Sequence, residues 1–319
     1  MSNQKTLPII KGMIKHLPFV KSLLKDRTAG GTGGGALNSR YCYSVWMRHF
    51  INWRAINSEP PGVVAELGPG ESLGVGIAAL LSGSTKYYAL DVIKYWDSAR
   101  NVKIFDELVQ LFKERATIPD NKEFFFIRPE LNDYSFPVNL LSDEQLKKYL
   151  SPDRLESIRN EIINIDNPNN KFIHFQIPWY DAKVIEKQSV DLILSQAVLE
   201  HVEDLENTYK AMTDWIKPSG LMTHSIDFKS HGITKAINGH WTFSDLEWKI
   251  VKGGKSFEIN RAPFTAHIEL NKKYGFEVLK KSFDQMKNEI SRKQLSKRFS
   301  SLTEEELTTS AMYILSRKK

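Results

Sequence analysis

The chain has 319 residues, of which 41% are hydrophobic, enough to bury one large core or two modest ones. Its single cysteine, Cys42, excludes an intrachain disulfide and favours a reducing compartment. No apolar run approaches the roughly 18 residues of a membrane span, and no signal-peptide segment is evident. The sequence therefore predicts a cytoplasmic protein.

The net charge of +6 is concentrated near the N-terminus. Residues 1–40 contain seven basic residues and one acidic residue, Asp26, so the other 279 residues are neutral in sum. Residues 41–319 have no excess of basic residues and contain no recognisable nucleic-acid-binding motif, which argues against binding to DNA or RNA. We expect no nucleic-acid partner.

Residues 1–35 predict a basic amphipathic extension followed by a glycine-rich linker. Lysines alternate with apolar residues over residues 7–25. The apolar residues that can share one helical face are Ile10, Met13, Ile14, Leu17 and Leu24. This pattern suits peripheral contact with the inner membrane surface, and packing on the protein's own domain or on a second subunit is the alternative. The glycines of residues 30–35 predict a flexible linker.

Residues 39–91 predict the start of an α/β domain. An aromatic-rich helix over residues 39–57 precedes an apolar strand over residues 62–67. A glycine turn and a helix over residues 73–81 follow, and a second strand covers residues 86–91. Strands that alternate with helices in this way indicate a parallel sheet with helices on both faces.

Carboxylates flank the glycine turn that follows the first strand. Gly68 and Gly70 lack Cβ atoms, so the backbone there can turn sharply and approach a ligand closely. Asp91 lies 23 residues after Gly68, near the roughly 20-residue offset at which a carboxylate meets ribose hydroxyls. Glu71 directly follows Gly70, and its negative charge would repel a pyrophosphate bound at this turn. Together with Glu66 it favours a ligand with an amino group and a positive centre, such as S-adenosylmethionine.

The remaining elements complete a predicted Rossmann-like fold. Residues 94–168 form an insertion, which we expect to be helical and to cap the active site. Further strands are predicted over residues 172–175, 190–195, 221–226, 275–279 and 311–315. A helix is predicted over residues 203–216, and residues 227–269 form a long excursion on the substrate side. We thus predict a seven-stranded, mostly parallel α/β sheet within a domain of residues 36–319.

Four motifs in chain order resemble those of the class I S-adenosylmethionine-dependent methyltransferases. They lie at residues 66–70, 89–92, 190–202 and 215–222. The departure is Ser72, where many members of the family have a third glycine. Residues 227–231 with 260–261 more loosely resemble bacterial members associated with surface-glycan biosynthesis.

The resemblance implies a methyl donor, an acceptor and a set of binding residues. The donor would be S-adenosylmethionine, the product S-adenosylhomocysteine, and the acceptor a hydroxyl of a small molecule or a sugar or glycan intermediate. The implied cofactor-binding residues are Glu66, Gly68, Pro69, Gly70, Asp91, Val92, Ser195 and Gln196. In similar enzymes the segment before the first strand often covers the cofactor, so Tyr43 and Trp46 either line that cover or pack in the core.

Methyl transfer to a hydroxyl requires a base, and histidine suits that role because its pKa lies near neutrality. The histidines cluster after the fourth and fifth predicted strands. We predict His231 or His201 as the base, with Asp227 and His240 as further catalytic candidates. Candidate acceptor contacts are Lys229, Trp241 and Arg261.

A metal site is the competing explanation for Asp227, His231 and His240. Their spacing matches no tight ligand motif, so we expect no metal. Two alternatives to an active methyltransferase remain open. One is a catalytically silent partner subunit that binds S-adenosylmethionine, and the other is a nicotinamide-dependent oxidoreductase, which the missing third glycine and Glu71 disfavour.

Overall fold

We describe the protein from a computed structural model, which covers residues 3–15, 35–95, 97–179, 181–253 and 258–319. Within these ranges no helix is long and apolar enough to cross a membrane. The predicted linker at residues 30–35 lies outside them except for Gly35, and so do residues 16–25 of the predicted amphipathic stretch.

Helices and strands alternate along most of the described chain. The helices are α1 (Asn3–Lys15), α2 (Ser39–Arg54), α3 (Gly74–Leu81), α4 (Ser98–Lys113), α5 (Asp143–Tyr149), α6 (Pro152–Ile163), α7 (Leu205–Trp215), α8 (Asp245–Lys252), α9 (Phe264–Lys273) and α10 (Glu304–Thr308). The strands are β1 (Val63–Leu67), β2 (Lys86–Leu90), β3 (Ile173–Gln176), β4 (Val190–Gln196), β5 (Ile216–Asp227), β6 (Phe276–Gln285) and β7 (Thr309–Lys318).

The seven strands form one sheet in the order β3-β2-β1-β4-β5-β7-β6. Strands β1 to β5 pair in parallel, whereas β7 is antiparallel to both β5 and β6. The predicted Rossmann-like, mostly parallel α/β sheet is confirmed. Its strand order reverses between β1 and β4, and in open α/β sheets ligands bind at the carboxyl ends of strands beside such a reversal.

Helix α2 packs on one side of the sheet with α3. Asn38 caps its N-terminus, since the Asn38 side chain accepts a hydrogen bond from the backbone N–H of Arg40. Tyr43 and Trp46 are fully buried in the core. The Trp46 indole donates to the Ser82 hydroxyl at 2.7 Å. Both aromatic residues therefore pack in the core and do not cover the cofactor site.

The insertion at residues 94–168 is helical, as predicted, but lies elsewhere than over the active site. Helix α4 packs against α2 and α3, and α6 packs against α4. Among the described residues of the insertion, Tyr95 alone lines the cleft at the carboxyl ends of the strands. The insertion thus thickens a helical layer on one face of the sheet, because its apolar side chains join the core formed by α2 and α3.

Candidate active site

A cleft of about 1250 Å³ opens at the carboxyl ends of β1, β2 and β4. Its walls come from the glycine turn after β1, the end of β2, the loop after β3 and the segment after β4. The predicted cofactor residues that line it are Glu66, Gly68, Pro69, Gly70, Asp91, Val92 and Gln196. Ser195 is the one predicted cofactor residue that the structure does not bring to this surface.

The glycine turn has the conformation that its sequence predicts. Gly68 and Gly70 have φ values of 65° and 70°, in the left-handed region that favours glycine. A Cβ atom on Gly68 would lie 2.7 Å from Val198, whereas one on Gly70 would meet no atom within 4 Å. Gly70 therefore faces open space, and a ligand can approach its backbone.

Asp91 is held in place by the backbone of that turn. Its Oδ2 accepts a hydrogen bond from the Gly70 N–H at 3.2 Å, and its Oδ1 accepts one from the Val92 N–H at 2.7 Å. Burial raises the pKa of the Asp91 carboxyl. Carboxylate oxygens have additional lone pairs, so Asp91 can still accept hydrogen bonds from ligand hydroxyls.

Glu66 is a buried carboxyl at the end of β1. The Tyr87 hydroxyl donates to its Oε2 at 2.5 Å. Burial raises the pKa of Glu66 to about 8, although the bond from Tyr87 opposes this shift. Gly76 on α3 makes room for the Tyr87 ring, because a Cβ atom on Gly76 would lie 2.0 Å from the ring's Cζ. Glycine at this position therefore indirectly positions Glu66.

Gln196 and Ser195 are neighbours on β4 with different surroundings. The Gln196 amide nitrogen donates to the Ser225 hydroxyl at 3.3 Å. Its Oε1 is buried without a hydrogen-bond partner among the described residues. Ser195 is fully buried, and its hydroxyl lies 2.8 Å from Nδ1 of His224. Gln196 therefore lines the cleft, and Ser195 belongs to the interior of the sheet.

Several residues that line the cleft are not among those predicted from the sequence, including Tyr41, Tyr95, Trp179 and Asp181. Asp181 accepts a hydrogen bond from the Lys183 N–H at 2.9 Å. Its position shortly after a parallel strand is a signal that could have identified it. Tyr41 packs edge-on against Phe124, with ring centroids 5.6 Å apart, and its helical neighbourhood gives no comparable signal.

His201 and His231 come together beside the cleft. His201, in the 3₁₀ turn Leu199–His201, lines the cleft, and its ring centroid lies 5.0 Å from that of His231. His231 has a φ of 49°, a left-handed conformation that is uncommon for residues other than glycine. Its Nε2 lies 3.5 Å from Oδ2 of Asp227, the last residue of β5. The structure thus brings both predicted bases to one place.

Asp227 is the charged anchor of this group. Lys229 Nζ lies 2.8 Å from the same Oδ2 atom that faces His231. Burial by itself would raise the pKa of Asp227, but the hydrogen bond to His231 and the charge of Lys229 lower it to about 2. Asp227 is therefore ionised at neutral pH and can stabilise a proton on His231.

Glu200 is a further acidic group here, and sequence analysis did not select it. It is 3% exposed, and neither carboxylate oxygen has a hydrogen-bond partner in the described part of the chain. Burial and the charge of Asp227 raise its pKa well above the usual range. Glu200, His201 and His231 offer ligand atoms within 4.8 Å of one another, a set that could hold a metal ion. This set differs from the Asp227, His231 and His240 group weighed from the sequence.

Asn260 holds the turn that carries His201. Its backbone N–H donates to the Glu200 carbonyl at 2.6 Å. Its side-chain amide donates to the carbonyls of Leu199 and Val202 at 2.7 and 2.8 Å. Asn260 was noted from the sequence only as part of a resemblance, and the structure gives it a definite positioning role.

His240, Trp241 and Arg261 lie in a buried part of the excursion and outside the cleft lining. Burial lowers the pKa of His240 to about 3, so this residue is neutral. The Trp241 indole donates to the Arg261 carbonyl at 3.1 Å. The Arg261 guanidinium donates to the Phe243 carbonyl and to Asp245, each at 2.7 Å. These contacts stabilise the excursion from within.

A family model described as a methyltransferase domain matches residues 157–223 of the chain. The matched segment contains β3 and β4, the turn that carries His201, α7 and the first part of β5. No curated protein matches the sequence.

Several solved structures that match the chain are named as methyltransferases. An S-adenosylmethionine-dependent methyltransferase from Mesorhizobium loti is 13% identical, with a TM-score of 0.40, and the match covers 85% of this chain and 98% of that one. Phosphoethanolamine N-methyltransferase 2 from Haemonchus contortus, solved with S-adenosyl-L-methionine, is 12% identical, with a TM-score of 0.41 and coverage of 85% and 52%. An S-adenosylmethionine-dependent methyltransferase from Methanosarcina mazei is 11% identical, with a TM-score of 0.42 and coverage of 84% and 96%.

The match to a methyltransferase domain over residues 157–223 agrees with the predicted resemblance to methyltransferases. S-adenosyl-L-methionine is the ligand of the Haemonchus contortus structure, and for this chain the methyl donor stays a prediction. The family match does not extend to the glycan-associated subtype or to the choice of oxygen as the methylated atom.

Proposed function

We propose that the protein transfers a methyl group from S-adenosylmethionine to a hydroxyl of a small molecule or of a sugar or glycan intermediate, with an imidazole as the base. One observation carries this proposal: His201 lines the same cleft as the glycine turn and its carboxylates. His201 contacts His231, and His231 in turn faces Asp227. A methyl donor and a proton acceptor would then meet at one edge of the sheet. No nucleic acid is involved in this scheme.

The methionine end of the donor would lie against Glu66, Gly68 and Gln196. Glu66 would ionise and bind the α-ammonium group, which suits a carboxyl that is otherwise buried with one hydrogen bond. Gln196 lines the cleft beside Glu66 and would contact the methionine part of the donor. The open space at Gly70 leaves room for the donor to lie against the turn.

The adenosine end would lie over the ends of β2 and β3. Asp91 would accept hydrogen bonds from the ribose hydroxyls, since its orientation is fixed by two backbone N–H groups. Val92 and Tyr95 would contact the adenine ring on its faces. Asp181 would accept a hydrogen bond from the adenine amino group, because its carboxylate lines the same cleft.

His231 would remove the proton from the acceptor hydroxyl. Asp227 faces its Nε2 and thereby leaves Nδ1 as the atom that accepts the proton. Asp227 stays ionised and stabilises the imidazolium, while Lys229 limits the negative charge around it. His201, which lines the cleft, would orient the acceptor or act as the base in place of His231.

Positioning would supply much of the rate. The sulfonium of the bound donor supplies an electrophilic methyl group, and an in-line approach of the nucleophile is required. Asn260 fixes the turn of His201, and Asp227 fixes the ring of His231, so both imidazoles are held before the acceptor arrives. Lys229 is the remaining candidate for direct acceptor contact. Trp241 and Arg261 would act on the acceptor only through the buried excursion that they stabilise.

We infer a cytoplasmic site of action, because the sole cysteine is a buried free thiol. Two alternatives from the sequence still compete with the proposal. A silent partner subunit would bind the donor but methylate nothing, and a nicotinamide oxidoreductase would bind a dinucleotide instead. Both alternatives are separable by measuring binding and turnover on the same preparation.

The first test is calorimetric titration with S-adenosylmethionine and S-adenosylhomocysteine, beside the variant Asp91→Ala. We expect binding by the native protein and strong weakening by the substitution, because the ribose would lose its acceptor. Binding of a nicotinamide dinucleotide in place of these ligands would refute the proposal.

The second test is transfer of labelled methyl from S-adenosylmethionine to a panel of hydroxyl and amine acceptors that includes glycans. We expect His231→Asn to lower turnover by about 10²–10⁴-fold without loss of donor binding. His174→Asn on β3 is the matched control, since His174 stacks on Tyr88 at 5.2 Å and is not part of the His201–His231 pair. Donor binding without turnover on any acceptor would favour the silent partner, and transfer to amines alone would refute the hydroxyl acceptor.

A further inference from the structure

Helix α1 presents one face to α8 and the opposite face to solvent. Gly12 is buried against α8, and a Cβ atom there would lie 2.2 Å from the Ile250 carbonyl oxygen. Lys5 Nζ also lies 3.0 Å from Glu247 Oε2. The close backbone approach and the ion pair fix which side of α1 faces the protein.

Large apolar side chains cover the opposite side. Leu7, Ile10 and Ile14 follow the i, i+3, i+7 spacing of a single helical face. Their exposed fractions are 58%, 43% and 46%, and Met13 beside them is 50% exposed. Four large exposed apolar side chains within one helix of 13 residues form a continuous strip, whereas single exposed residues elsewhere need no partner.

The charge around this strip is positive. Helix α1 contains no acidic residue, and Lys11 is exposed next to the strip. Lys5 is engaged by Glu247, whereas Lys11 is exposed beside the apolar residues. The sequence that follows, up to residue 40, adds further basic residues and a single acidic one. An apolar face flanked by lysines is complementary to an anionic lipid surface.

We propose that the strip of Leu7, Ile10, Met13 and Ile14 binds the surface of an anionic membrane, with α1 lying in the plane of the interface. A second copy of the chain is a poorer occupant. A two-fold contact through the strip would place Lys11 of each copy near its counterpart, which like-charge repulsion disfavours. Helix α8, on which α1 rests, belongs to the same excursion as His231, so the membrane contact is built on the substrate-side segment.

The test uses the full-length protein and vesicles of two compositions. Flotation is measured with vesicles of phosphatidylcholine alone and with equal parts of phosphatidylcholine and phosphatidylglycerol. We expect binding to the anionic vesicles only, and weaker binding as salt is added, because the Debye length shortens. Lys11→Glu should weaken binding further, since it reverses the outward charge.

The decisive variant is the triple substitution Leu7→Gln, Ile10→Gln and Ile14→Gln. It leaves the α8 side of α1 intact and should weaken vesicle binding by more than about tenfold. Ile163→Gln on α6 is the matched control, because Ile163 is 51% exposed on another helix. An unchanged thermal unfolding midpoint and circular dichroism spectrum in both variants show that the fold is intact.

Three results would overturn the proposal. The first is no flotation with anionic vesicles by the native protein, and the second is equal flotation by the triple variant. The third is a native protein that is dimeric by light scattering and a triple variant that is monomeric, because this result would mean that a second copy covers the strip. None of these readouts depends on methyl transfer, so the outcome is independent of the function proposed above.

Discussion

Replacement of Glu66 by Gln tests the proposed role of the buried carboxyl most directly. Glu66 has a pKa of about 8 in the free protein, because burial disfavours its charge. At pH 7 about nine-tenths of the molecules therefore carry a protonated Glu66. The α-ammonium of the bound donor favours the ionised form, so binding at pH 7 should release close to one proton. Gln has nearly the same shape and cannot release one.

Glu66→Gln should change the affinity for S-adenosylmethionine only modestly, because two effects on the binding free energy oppose each other. Ionising a group one pH unit below its pKa costs about 1.4 kcal/mol. A hydrogen bond to a charged group contributes about 1.5–3 kcal/mol. The two effects partly cancel, so Glu66→Gln should weaken binding by no more than about tenfold to twentyfold at pH 7. Proton release is therefore the sharper readout.

Calorimetry in two buffers of different ionisation enthalpy measures that release at pH 7. We expect the native protein to release most of one proton and Glu66→Gln to release close to none. Glu71→Gln removes a carboxylate from the same cleft and should leave the release intact. If the native protein released no proton, or if Glu66→Gln released as many, Glu66 would not be the group that meets the ammonium.

Three further predictions concern packing, pH and metal. Gly76→Ala should destabilise the protein by about 1–3 kcal/mol in denaturant titrations, because the new Cβ would overlap the Tyr87 ring; unchanged stability would contradict this packing. Glu200→Gln should raise the melting temperature at pH 8 more than at pH 5. The pKa of Glu200 is higher in the folded state, so the native protein loses stability as the pH rises above the pKa of the unfolded state. A change in melting temperature that is the same at both pH values would refute this. Methyl transfer should survive chelators, because Nε2 of His231 faces Asp227, and loss of activity that divalent cations restore would assign a metal to Glu200, His201 and His231.

The cofactor side of the site was predictable because its signals are local. Each carboxylate or glycine there directly follows an apolar strand, and the carboxyl ends of parallel strands share one edge. Ser195 departs from the prediction because successive residues of a strand point to opposite faces. Gln196 faces the cleft, so Ser195 must face away, where it contacts His224. A sequence motif contains both residues and does not say which one faces the ligand.

The acceptor side depends on contacts between segments that are distant in sequence. Tyr41 and Tyr43 are both buried on α2, but only Tyr41 reaches the cleft. Helix α2 packs on both α3 and α4, and the sequence of α2 does not show which of its side chains faces the cleft. Arg261 looks like an anion-binding residue in the sequence but is enclosed by the Trp248 and Phe299 rings. The last two strands run longer than predicted, since the edge strand β6 carries exposed lysines that interrupt the apolar pattern.

Asn260 and Arg261 tie the described end of the excursion after β5 to the turn that carries His201 and to α8. Asn260 reaches back across about 60 residues of sequence and bonds three carbonyls of the turn that carries His201. Arg261, next to it, anchors the same chain segment through Phe243 and Asp245. A displacement of the excursion would therefore move His201 and, through β5, alter its distance from His231. If the proposed transfer needs the acceptor in line with the methyl group, substitutions that remove the buried contacts of Arg261 or Trp241 should lower turnover, although neither side chain lines the cleft.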